Sequence, residues 1–169
     1  DIESKNKPKS MSKVNLDALI PRADFISPGG DSNKQSLRGL NLSRLLDRKQ
    51  STASIYHLLR KPDFQRETNE WDMKRIGDLI ESFMNKDFIP SIILWENSDT
   101  GHIFVIDGAH RLSALLAFIN DDYGDKGITT TYYGYELSPD DVALAKETRD
   151  YIENRIGNFK KIMKAGGVK

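Results

Sequence analysis

The chain of 169 residues contains no cysteine. That single absence removes disulfides, thiolate zinc sites and thiol catalysis together. No apolar run approaches the length of a membrane span, and the beginning, rich in lysine and serine, lacks a signal-peptide pattern. A soluble cytoplasmic protein without membrane partners is therefore expected. No internal repeat is visible. Net charge is also missing, because 25 basic residues balance 25 acidic ones. The balance is uneven along the chain. Residues 34–66 hold eight lysines and arginines against two aspartates, and residues 120–153 hold nine acidic residues against three basic ones. Such an asymmetry leaves room for an anionic partner at one face, or describes two ordinary solvated surfaces.

What is present is organised around residues 102–118. Ile103 to Ile106 is a short, β-branched apolar run, the pattern of a strand covered on both faces. Asp107-Gly108 ends it, and from His110 onward Leu112, Leu115, Leu116 and Ile119 recur at helical spacing, giving one apolar helix face. The turn aims the positive end of a helix beyond the strand, where free N–H groups and Arg111 suit a phosphate or carboxylate. Asp107 could cap that helix, hold a metal or bind a polar ligand.

Around this stretch, residues 1–35 read as a flexible basic lead-in and loop, 36–128 as an α/β core, and 129–169 as a β-prone segment followed by a C-terminal helix packed on the core. Within the lead-in, Leu16 to Ile20 suggests a short element before Pro21, and residues 27–32 a loop. In the core, Leu40 to Leu46 fits a short helix or turn and Ser54 to Leu59 a strand. A helix runs from about Asp72, its N-cap, to Met84, with Ile76, Leu79, Ile80 and Phe83 as its stripe. Ser91 to Trp95 is a second buried strand, and Asn97 to Gly101 a turn into the organising stretch. The order helix, strand, turn, strand, turn, helix specifies a small mixed sheet with flanking helices. Thr129 to Tyr135 is β-prone. Pro139, with Ser138 as cap, opens one last long helix, whose seam of Val142, Ala145, Ile152, Ile156, Phe159 and Met163 is either a core face or a homodimer surface.

Asp107-Gly108-Ala109-His110-Arg111, with Ala114-Leu115 behind it, resembles the signature of the ParB/sulfiredoxin-like superfamily, in the branches whose motif is written DGQHR or DGQQR. Phe64-Gln65-Arg66, then Trp71, an amphipathic helix and Ile89 to Leu94, resembles the upstream half of the GmrS-type, ParB-like domains of modification-dependent restriction systems. The likeness covers roughly residues 40–120. Ala109 stands where these families carry glutamine, so any hydrogen bond from that amide is missing. Sulfiredoxin chemistry itself needs a cysteine that this chain lacks.

The resemblance implies a ParB-like α/β fold with a C-terminal helical extension and a nucleotide or nucleic-acid phosphate site at the helix start. It implies bacterial DNA processing or antiphage restriction, with a nucleoside triphosphate as ligand or substrate and DNA as partner. Relatives act as hydrolases, nucleases, kinases or DNA-recognising regulators, and fold alone does not choose among them. On this reading Gln65, Arg66, Gly108, Ala109, His110 and Arg111 bind the phosphates or the nucleotide. Asp107, His110 and Arg111 would carry catalysis, as an NTPase or a nuclease. Arg111 can grip two phosphate oxygens, or form a salt bridge to Asp107 or Asp72. Gln65 reads a base or sugar edge, or fixes its loop. His110 is a general acid/base or a capping histidine. Magnesium is implied by charge neutralisation, with Asp107 as its candidate ligand. Asp121, Asp122 and Asp125 tempt a metal assignment without matching calcium-loop spacing. Trp71 could stack on a base or belong to the core. Two alternatives remain open: a non-catalytic DNA-binding or sensor module, and a protein-interaction domain docking through the last helix.

Overall fold

The structure, a computed structural model, describes residues 12–25, 34–36 (backbone only) and 55–166. The expected loop at residues 27–32 and the expected helix or turn at residues 40–46 lie outside these, as do residues 1–11.

Five short strands form one mixed sheet: β1 (Arg22–Ala23), β2 (Lys34–Ser36), β3 (Leu59–Pro62), β4 (Ile93–Glu96) and β5 (Ile103–Asp107), in the order β1-β3-β5-β4-β2. β1, β3 and β5 run parallel, whereas β4 is antiparallel to both β5 and β2. Helices follow as α1 (Met73–Met84), α2 (Ala109–Asn120), α3 (Gly127–Tyr132), α4 (Pro139–Arg155) and α5 (Phe159–Lys164). The expected mixed α/β architecture is the one observed.

α1 starts where the sequence places it, because Asp72 accepts the Arg75 N–H at 2.8 Å and satisfies an otherwise orphaned donor. Its stripe buries Ile76 and Ile80 completely. The β4–β5 hairpin closes through Asn97, whose side-chain oxygen accepts the N–H groups of Asp99 and Thr100 at 2.9 and 3.3 Å. α4 lies across α1 at Gly77, where an added Cβ would sit 2.9 Å from Arg155 Nη1 and 3.0 Å from Tyr151 Cε1.

α2 is the centre of the molecule. Every residue from Leu112 to Ile119 is buried, so the helix is enclosed on all sides rather than along one apolar face. α1, the sheet, the N-terminal segment and α5 all share its surface. A helix that is apolar all round needs such an environment.

Three expectations are corrected. The strand expected over Ser54 to Leu59 begins only at its last residue: Ile55–Leu58 is a 3-10 turn and β3 starts at Leu59, while Ser54 lies outside the described residues. Thr129 to Tyr135 is not a strand, since Gly127–Tyr132 is helical. Asp122, which is buried, accepts the N–H groups of Gly124, Asp125, Lys126 and Thr129 and the Thr129 hydroxyl, and this local anchor overrides the β propensity of the threonines. The last helix is two helices, broken at 156–158, where Gly157 takes φ +124° and Asn158 caps α5 through the N–H groups of Lys160 and Lys161. Of the seam, Ala145, Ile152 and Phe159 are buried within the chain, whereas Val142 and Met163 stay exposed. Ser138 does occupy the N-cap of α4, with Pro139 behind it, yet its hydroxyl makes no capping bond.

Candidate functional site

β5 carries its chain out of the core. Phe104 and Val105 are buried, whereas Ile106 and Asp107 are exposed, so the strand is not covered on both faces to its end. Gly108 then turns the backbone with φ +91° and ψ +23°, a conformation that other residues reach only at a cost. Leu112 N–H to Gly108 C=O, at 2.9 Å, is the first intrahelical bond of α2. The N–H groups of Ala109, His110 and Arg111 precede that bond, and no side chain caps them. Asp107 is therefore not the N-cap.

Asp107 instead meets Arg111, with Oδ2 3.3 Å from Nη2. The same Nη2 donates to the Ser91 carbonyl at 3.0 Å. Held from both sides, the guanidinium lies directly over Gly108: a Cβ there would be 3.1 Å from Nη2 and 3.3 Å from Nε. Nε is buried and has no hydrogen-bond partner. The carboxylate side chain remains 61% exposed and the arginine 21%, so the pair sits at the surface with its cation turned inward.

His110 is the second unusual group. Its ring stacks on Trp71 with centroids 5.7 Å apart and planes at 23°, and Arg75 lies over the same indole at 4.6 Å. Nε2 is buried without a partner. Burial pushes the imidazole below its ordinary pKa; the charges of Arg75, Lys61 and Arg111 add to that, and Glu70 opposes it. The neutral ring is thus favoured at pH 7. Trp71 belongs to this stack, half-buried against the core.

The Phe64-Gln65-Arg66 loop is fastened to the end of β5. The Gln65 amide nitrogen donates to the carbonyls of Val105 and Ile106, at 2.8 and 2.9 Å. Of the two roles open to Gln65, that amide N–H serves the loop. Arg66 is exposed on the same loop, and Phe64 is 70% exposed beside it.

Beneath the loop is a cluster that nothing in the sequence marks. Lys61 is fully buried; its ammonium donates to the Asp17 carboxylate, to the Asp17 carbonyl at 2.9 Å and to Thr68 Oγ1 at 3.3 Å. Asp17 also accepts the Thr68 N–H at 3.1 Å and faces Arg22 at 3.6 Å. Arg22 in turn donates to the Gln65 carbonyl. Burial would raise the Asp17 pKa, but the hydrogen bond and charge of Lys61 prevail and hold it below the usual carboxylate value. Lys61 is thereby withdrawn from the basic surface expected over residues 34–66. A lysine before a proline in a basic stretch reads as surface, so only the fold could reveal it.

The acidic loop is also consumed internally. Arg149 binds Asp125 through two nitrogens, at 2.6 and 2.7 Å, and Asp121 at 2.8 Å, while Asp122 serves the backbone. Among the described residues, no group of three or more histidine, aspartate or glutamate side chains is arranged to hold a metal ion. His57 and His102 lie against Tyr56 and Phe104, apart from His110. No helix among the described residues is long and apolar enough to cross a membrane.

Fold and junction together define a small mixed α/β domain, with Asp107, His110 and Arg111 gathered where β5 passes through a glycine into a central buried helix. The family to which the chain belongs is that of the N-terminal domain of the GmrSD restriction endonuclease, whose model matches residues 42–166. No curated protein and no solved structure matches the chain.

Proposed function

We propose that the β5–α2 junction is a phosphate cradle for a nucleotide, in a ParB-like domain of the DGQHR/DGQQR kind that serves a bacterial DNA-restriction system. Family membership supports the restriction role. The observation that carries the cradle is the uncapped start of α2, with a guanidinium fixed across Gly108 and its Nε unsatisfied. A buried donor without a partner, such as Nε, costs about 1–3 kcal/mol, and an anion that reached it would relieve that cost. The N–H groups of Ala109 and His110 would face the phosphate, Arg111 would grip it, and Arg66 would approach from the upstream loop.

Hydrolysis of a phosphoanhydride or phosphoester is the reaction this arrangement suits. Neutral His110 is in the form that accepts a proton from an attacking water. Arg111 would take up the charge that develops on phosphate oxygens. Asp107 is an exposed carboxylate at the junction, which fits magnesium brought in largely by the phosphates, with Asp107 as a protein ligand. Bound there, magnesium would neutralise phosphate charge.

The test is binding and hydrolysis of each nucleoside triphosphate with magnesium, comparing the native chain with Arg111→Ala. Turnover that vanishes in the variant supports the enzyme. Absence of both binding and turnover overturns the cradle. A second reading, a non-catalytic module that holds DNA, is favoured by the shielding of His110 Nε2. It predicts duplex affinity that falls steeply with salt and no turnover of any nucleotide.

A further inference from the structure

A concave site lies away from the junction, where the 3-10 turn Ile55–Leu58 and the start of β3 face α3. It is a pocket of about 220 Å³, walled by Tyr56, His57, Arg60, Ile128, Thr131 and Tyr132. We propose that this pocket binds a single nucleobase, separately from the phosphate cradle.

Its size limits the ligand. Pockets for drug-sized molecules run to roughly 300–1,000 Å³, so this one takes one ring system rather than a whole nucleotide. Its walls select a flat ring. Tyr56 is buried and fixed by its hydroxyl, which donates to the Leu19 carbonyl at 3.2 Å; His57 packs edge-on against it, with centroids 5.8 Å apart. On the other side Tyr132 is 43% exposed and is braced by Tyr133, ring to ring at 4.9 Å. The Tyr133 hydroxyl accepts from Asn15 Nδ2 at 3.3 Å, which ties this wall to the N-terminal segment. An aromatic ring that must stay half in solvent, yet is held in place, is a surface on which a base can stack.

The polar groups narrow the class further. Arg60 Nη1 donates to the carbonyls of His57 and Leu59 at 2.8 and 2.7 Å; no other bond among the described residues engages its guanidinium, whose remaining N–H groups are donors for a ligand. The Thr131 hydroxyl donates to the Gly127 carbonyl at 2.7 Å, so its oxygen can only accept from a ligand. A flat ring that both accepts and donates at its edge matches this pair. Nucleobases have that edge, and phenyl rings do not.

The pocket is at the opposite end of the sheet from the cradle. β3 and β5 are parallel, with Arg60 opposite Phe104. Gly108 lies four residues further along β5, about 13 Å at the rise of a strand. A nucleoside monophosphate is too short to fill both, and the source of the base is either a free nucleoside or nucleotide, or a base in a single strand.

The experiment records amide chemical shifts of the full chain with deoxyadenosine, deoxycytidine and thymidine, with the matching monophosphates, and with a short single-stranded oligonucleotide. Shifts are expected at residues 56–60 and 128–132, weakened about tenfold by Tyr132→Ala, the usual scale of one base-stacking contact. They are expected to persist in Arg111→Ala, which separates this pocket from the cradle. Tyr132 is partly exposed, so the variant should keep its fold, verified in the same spectra; Thr131→Val supplies a second, gentler lesion. Equal affinity for nucleoside and oligonucleotide assigns a free base, and tighter oligonucleotide binding assigns a strand. The proposal is overturned if nucleosides shift only residues 108–112 or nothing, if Tyr132→Ala and Thr131→Val both bind like wild type, or if N-acetyl-tyrosinamide occupies the pocket as well as nucleosides do.

Discussion

Gly108→Ala tests the cradle most directly, because the space above Gly108 already holds the arginine. Two costs can be worked out. A non-glycine residue at φ +91° stores roughly 1–3 kcal/mol of backbone strain. The new Cβ would also stand 3.1 Å from both Arg111 Nη2 and Ile92 Cγ1. Ile92 is buried, so the guanidinium is the group that gives way, loosening its bonds to Ser91 and Asp107. With about 1 kcal/mol for that loosening, the expected loss is roughly 2–4 kcal/mol, which for a domain of this size lowers Tm by about 5–15 °C. Binding of a nucleoside triphosphate should fall about as far as in Arg111→Ala, roughly 10- to 100-fold. Calorimetric titration with unfolding of the two single variants and the double variant closes a cycle. Removing Arg111 leaves the Cβ only Ile92 and the backbone strain to contend with, so the two stability costs should sum to about 1 kcal/mol more than the double variant shows. Strict additivity, or Gly108→Ala binding like wild type, would refute the idea that the arginine resting on that glycine is what holds the anion.

Lys61→Met should cost about 3–5 kcal/mol by stranding Asp17, and Lys61→Met with Asp17→Leu should recover much of it, as read from urea midpoints. Asp122→Ala should destabilise by at least about 3 kcal/mol, because it strips four N–H groups and a hydroxyl of their acceptor, and should erase the helical amide pattern of α3. His110 gives a pH dependence. Its native pKa lies below the ordinary 6.5, so as pH falls from 6.5 toward the native value the unfolded chain takes up a proton that the native one refuses. Stability should therefore drop more between pH 7 and pH 5 in wild type than in His110→Gln, and equal drops would exclude a buried neutral imidazole.

Legibility followed the range of the interactions involved. Asp72, α1, the Asn97 turn, β5 and the Asp107-Gly108 junction are set by neighbours a few residues apart, and each is where the sequence puts it. Thr129 to Tyr135 went the other way because a buried carboxylate seven residues upstream takes the Thr129 N–H and hydroxyl, a local anchor hidden inside what reads as a solvated acidic loop. The long final helix broke for an opposite reason: a seam at helical spacing continues through Ile156 and Phe159, but Gly157 and the Asn158 cap restart the chain in another direction. At the junction, the nearness of Asp107, His110 and Arg111 follows from their spacing, and their partners were not legible. Ser91 acts through its backbone carbonyl and Trp71 through its ring face, and neither contact leaves a mark in residue spacing.

The buried Lys61–Asp17 pair belongs to the same functional argument, although it touches nothing exposed. It joins the 3-10 turn Asp17–Leu19 to β3 and, through Thr68, to the far side of the 63–67 loop. Arg22 takes the Gln65 carbonyl from one side while the Gln65 amide holds β5 from the other. The loop is thus fixed at both ends and in its middle, and the exposed Arg66 is carried on a rigid support beside the exposed end of β5. An ion pair of this kind is weak evidence for stability, since a well-packed apolar pair of the same size often does as well. Its use here lies in geometry: charges must be matched at one spacing, and that spacing sets where the upstream cation stands relative to the start of α2. An apolar replacement of Lys61 and Asp17 that restores stability yet weakens nucleotide binding would separate the two roles, whereas restoration of both would leave the pair no function beyond packing.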